Sequence, residues 1–67
     1  MSVRKITYQR PSGETCEIPV AKYEPKDESQ LDFACRTICL IEGFGVKPGL
    51  TCQQALVENG ITKIEIQ

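Results

Sequence analysis

The chain has 67 residues, eight basic and nine acidic side chains, four cysteines, no histidine and no tryptophan. That length allows one domain spanning 1–67, with a core so small that local features must support it. A net charge of −1 argues against nucleic-acid binding through bulk charge, and no apolar run reaches the roughly 20 residues of a membrane span.

The first twenty residues read as a hairpin. Ile6 and Tyr8 alternate with Lys5, Thr7 and Gln9, and Cys16, Ile18 and Val20 alternate with Thr15, Glu17 and Pro19. Period-two alternation puts one set on a core face and the other in water. Pro11-Ser12-Gly13-Glu14 is the turn between them. Pro19 cannot donate to a ladder, so it predicts a short or an edge strand for the second run. Arg4 and Arg10 share the parity of Ile6 and Tyr8 and are expected to flank the core face at the strand ends. The charged opening residues, with no apolar stretch behind them, do not have the pattern of a secretory signal, which points to a cytoplasmic protein.

A charged connector over 22–28 leads into the clearest helix. Asp27 and Gln30 have the spacing of a capping box. Leu31, Ala34, Cys35, Ile38 and Ile41 then recur at three- and four-residue steps, with Phe33, Cys39 and Leu40 widening the stripe. A helix this apolar is expected to be largely covered, either by the sheet or by a partner. Gly43 ends it as a left-handed cap. The loop 43–49 follows, and Thr51 with Gln54 forms a second capping box, with Leu50 and Ala55 spaced as a hydrophobic staple. A short helix from Cys52 to Glu58 stops at Asn59-Gly60, and Ile64 and Ile66 alternate with Lys63 and Glu65 in a last strand that Ile61 enters.

The expected fold is therefore α+β: a ββααβ domain whose hairpin and C-terminal strand form a three-stranded sheet, with one longer and one short helix on one face. Pairing the last strand beside the first shields both, and a parallel pairing gives a right-handed crossover. In outline this arrangement resembles the ubiquitin-like β-grasp. The chain ends Glu65-Ile66-Gln67 without a Gly-Gly tail, so the conjugation and sulfur-carrier chemistry of that family is not implied.

Three constellations could carry chemistry. Cys16, Cys35, Cys39 and Cys52 could supply four thiolates to zinc, but only Cys35 and Cys39 are closely spaced. Burial as small apolar side chains explains all four as well. Disulfides Cys16–Cys35 or Cys39–Cys52 are conceivable across layers, while Cys35–Cys39 is disfavoured on an intact helix, and a reducing compartment weighs against any of them. There is no Cys-x-x-Cys and no histidine for a thiol catalyst. Second, Gly43, Gly45 and Gly49 with Lys47 precede the helix start at Thr51, a weak phosphate-loop signal because the loop follows a helix instead of a strand. Third, Glu24, Asp27, Glu28 and Asp32 gather acid around a helix N-terminus, either as dipole complement or as a patch for a basic partner. Phe44, between two glycines, and Tyr23, at the strand end, are either partner anchors or closures of a small core.

Without histidine or volume for a walled pocket, no catalytic residue and no cofactor are expected. The sequence points to a protein-binding module of the inhibitor or adaptor type, of the size class made by phages and mobile elements to block host complexes. Its expected contact residues are Phe44, Lys47, Glu24, Asp27, Glu28 and Tyr23. A cysteine-based metal or thiol domain, a phosphate-loop protein and a homodimer through the apolar helix or last strand are the competing readings.

Overall fold

The computed structural model describes residues 2–67. Strands β1 (Val3–Gln9) and β2 (Thr15–Tyr23) form the hairpin, followed by helices α1 (Gln30–Glu42) and α2 (Cys52–Glu58) and strand β3 (Thr62–Ile66). The sheet order is β2-β1-β3, which gives the α+β fold read from the pattern, with β1 central and β2, carrying Pro19, at an edge. Arg10 N–H donates to the Glu14 carbonyl at 2.8 Å, closing the hairpin around Gly13, whose φ of 94° needs a residue without Cβ.

β3 pairs with β1 antiparallel, so the parallel crossover and the β-grasp likeness do not hold. The reason is a matter of length. Phe33 near the start of α1 meets Tyr23 at the end of β2, and Glu42 at its other end meets Tyr8 and Arg10. Thirteen residues at about 1.5 Å each carry the chain once along the sheet. The seven residues of α2 do not carry it back, so β3 starts opposite Gln9 and runs toward Lys5.

Two irregularities reset the side-chain parity. The Arg4 and Lys5 amides both donate to the Gln67 carbonyl, at 2.6 and 3.0 Å, a bulge that adds one residue to β1. Val3 consequently takes the core position and Arg4 is exposed, against the expectation from alternation. Arg10, beyond the bulge, does flank the core face. On β3 the register slips between Thr7 and Gln9, where Lys63 adopts φ 54°.

The core comprises Val3, Ile6, Tyr8 and Ile18 from the sheet, Phe33, Ala34, Cys35, Ile38 and Cys39 from α1, Ala55 and Leu56 from α2, and Ile61 at the entry to β3. The cap of α1 differs from expectation. Ser29, not Asp27, is the N-cap, and its hydroxyl accepts from the Asp32 amide at 3.1 Å. Gly43 caps the other end at φ 75°, and the Phe44 amide reaches back to the Cys39 carbonyl at 2.9 Å. The Thr51–Gln54 box on α2 forms as read, with both reciprocal bonds near 3 Å.

Candidate functional site

Helix α1 carries two apolar stripes; one lies wholly in the core, and the other enters it only at Phe33. Ala34, Cys35, Ile38 and Cys39 recur at helical spacing and are buried against the sheet and α2. Phe33, Thr37, Leu40 and Ile41 recur at i, i+4, i+7 and i+8 along another flank. That flank begins covered and ends bare: Phe33 is buried, whereas Leu40 is 71% and Ile41 56% exposed. The rest of the chain thus covers only part of this helix, and Leu31 is exposed as well. Thr37 turns its hydroxyl into the helix, donating to the Phe33 carbonyl at 2.8 Å, so the stripe keeps its apolar character.

At the covered end the Tyr23 ring lies against Phe33, with centroids 4.7 Å apart and planes at 37°. The Arg36 guanidinium sits 5.5 Å over the same ring and donates to Glu28 Oε1 at 2.7 Å. This hydrogen bond holds the Glu28 carboxyl below its ordinary value and raises Arg36. Tyr23 remains 45% exposed, so it both closes the core and presents a ring edge at the surface. Asp27 is exposed beside this corner, and Glu24 makes polar contacts of its own.

Phe44 and Lys47 are placed differently from that corner. Phe44 is half-buried and packs on the core, the closing role weighed for it from sequence. Lys47 is exposed, and its carbonyl accepts from the Leu50 amide in the loop turn. The structure therefore brings Tyr23 and Glu28 together around Phe33, and places Phe44 and Lys47 in the loop beyond the other end of α1.

That other end holds a network the sequence reading missed. Glu42, the last residue of α1, receives Arg10 Nε at 2.9 Å and Nη2 at 2.8 Å, and the Tyr8 hydroxyl at 3.0 Å. A carboxylate at a helix C-terminus opposes the macrodipole, and the two-pronged arginine offsets it. Arg10 also reaches Glu14 at 3.1 Å. Glu42 is 12% exposed at its side chain, and Arg10 chiefly holds its carboxyl below the ordinary range. Burial, then the Glu42 hydrogen bond, pushes the Tyr8 phenol up to about 12. The only signal in the sequence was the core-face parity of Tyr8 and Arg10, which identifies no partner.

Helix α2 adds exposed Val57 beside an open depression of about 480 Å³ lined by Leu50, Thr51, Gln53, Gln54, Val57 and Glu58. The cysteines divide into two places. Cys16 lies across from Tyr8 in the hairpin, whereas Cys35, Cys39 and Cys52 gather where α1 meets α2. Among the described residues no three His, Cys, Asp or Glu side chains converge in an arrangement that could hold a metal. Burial raises the Cys35 thiol and pushes Cys39 up to about 11, so both are held protonated. Among the described residues no helix is long and apolar enough to cross a membrane. No family model matches the chain, and no curated protein or solved structure matches it either.

Proposed function

We propose that this chain is a small non-catalytic protein-binding module, of the inhibitor or adaptor class, that docks on a larger protein through its helical layer. One observation carries the reading: among the described residues, five of the six exposed large apolar side chains lie in the helical layer, and the sixth, Tyr23 at the end of β2, packs its ring on Phe33 of α1. Leu31, Leu40, Ile41, Val46 and Val57 all belong to α1, α2 or the loop between them. The opposite face of the sheet carries Lys5, Thr7, Gln9, Thr15, Glu17 and Glu65, with Lys5 and Glu17 paired at 3.6 Å. Random surface apolarity would not sort in this way, and exposed apolar groups gathered on one layer are the usual mark of an interface.

Charge supports a partner of definite chemistry. The stripe from Phe33 to Ile41 starts at a corner rich in acid, where Glu24, Asp27 and Asp32 stand near the helix N-terminus. A partner surface with aliphatic or aromatic anchors and a basic rim on one side complements both features. Phe44 acts from beneath by fixing the loop that holds Val46 and Lys47, so it is a supporting residue in this reading. Four unpaired thiols accord with a reducing, cytoplasmic setting.

The test is a stoichiometric complex isolated from cell extract with the immobilised chain. Leu40→Asp and Ile41→Asp are expected to abolish capture while Thr15→Lys, on the sheet side, leaves it intact. Light scattering at two concentrations separates this from self-association; a dimer lost in Leu40→Asp would replace the larger partner by a second copy. Capture unaffected by either aspartate variant contradicts the helical layer as the interface.

A further inference from the structure

The thiols at the α1–α2 junction are arranged for a specific modification. Cys39 Sγ donates to the Cys52 carbonyl at 3.6 Å, and the Cys39 and Cys52 side chains are hydrogen-bonding neighbours. Cys39 is buried at the inner side of α1, whereas Cys52, the first residue of α2, is only partly buried. Both are free. Cys35 is in the same region but sits four residues from Cys39 on one helix, where Cβ atoms are held about 6 Å apart against the roughly 3.8 Å of a disulfide. One partly exposed thiol next to one enclosed thiol, on two packed helices that a loop connects, is an arrangement that suits an attacking and a resolving cysteine.

We propose that Cys39 and Cys52 form a redox-modification site in which a hydroperoxide converts them to a disulfide joining α1 to α2. In the first step the Cys52 thiolate attacks the terminal peroxide oxygen and the O–O bond breaks. Cys52 becomes a sulfenic acid, and the oxygen that leaves is protonated to water or an alcohol. In the second step Cys39 sulfur attacks Cys52 sulfur and the S–O bond breaks. The departing hydroxide takes the Cys39 proton and leaves as water. Two thiols are oxidised by two electrons in total, and one peroxide is reduced by two. The high pKa of Cys39 assigns it the second step, since a thiol held protonated is a poor first nucleophile. The link spans 13 positions and closes a ring around the loop that bears Phe44, Val46 and Lys47. Oxidation would therefore stiffen the helical layer, and reduction would release it.

Treatment of the intact chain with hydrogen peroxide, then peptide mapping without reduction, tests this directly. The expected result is a fall from four titratable thiols to two, a whole-chain mass lower by two hydrogens, and a linked peptide pair carrying Cys39 and Cys52. Cys35→Ser is expected to form the same link. Cys39→Ser is expected to stop at a sulfenic acid on Cys52, trapped by dimedone. Four thiols remaining, a link that includes Cys35 or Cys16, or a link between two chains each overturns the assignment. Mapping of the unmodified sequence does not depend on whether a variant folds.

Discussion

Replacing Tyr8 by Phe removes one oxygen from the core and isolates the contribution of the Glu42 network. Tyr8 is 1% exposed, and its hydroxyl donates to Glu42 Oε2 at 3.0 Å. A hydrogen bond to a charged group contributes about 1.5–3 kcal/mol. Here the lower end applies, because Arg10 continues to donate twice to Glu42 in the variant and leaves no orphaned carboxylate. A loss of about 1.5 kcal/mol lowers the Tm of a domain this size by roughly 6–12 °C. The assay is thermal unfolding by circular dichroism as a function of pH. Glu42 has a depressed folded pKa, so its contribution is present above the unfolded carboxylate value near 4.3 and is lost as pH falls through the folded value. The gap between the two proteins should therefore narrow below about pH 4. Tyr8 has a raised folded pKa, so the stability of the natural sequence is complete below pH 10 and declines as pH rises toward about 12. Tyr8→Phe lacks that alkaline decline. A Tm difference under about 2 °C at neutral pH, well short of the shift expected for a domain of this size, or a difference that persists unchanged into acid, would refute the reasoning.

Two further outcomes are expected. Ser29→Ala should cost about 1 kcal/mol by removing the N-cap acceptor, whereas Asp27→Ala, two residues before that cap, should stay within about 0.5 kcal/mol; denaturant unfolding of the pair measures both. Gly60→Ala should cost about 1–2 kcal/mol, because φ is 76° and a Cβ there would stand 2.9 Å from Pro11 Cγ on a ring that cannot rotate away; unaltered midpoint denaturant concentration would contradict it.

The parts of the fold that were legible are those decided within a few residues. Gly43 and the Thr51–Gln54 box act on their own turns of helix, and the Pro19 edge follows from a missing donor in its own residue. Ser29 escaped because Ser29-Gln30-Leu31-Asp32 and Asp27-Glu28-Ser29-Gln30 both have capping spacing, and spacing alone does not choose between them. Arg4 was misplaced because its bulge is set by the Gln67 carbonyl, 63 positions later in the chain. The orientation of β3 depended on how far two helices carry the chain, which periodicity does not encode. At the candidate site, Tyr23 and Glu28 were found through residue type near a boundary. Leu40 and Ile41 were read only as part of a stripe that the sheet or a partner covers, because a wide apolar helix gives no sign of which flank lacks a neighbour. Glu42 was invisible for a similar reason: its partners lie 34 and 32 positions away.

The helical layer as the binding face is tested most directly by measuring capture of the partner by Leu40→Asp beside Thr15→Lys, with both variants shown to unfold at the temperature of the natural sequence. Loss of the complex with the aspartate and retention with the lysine is the result this structure predicts. Equal capture by the two would contradict it.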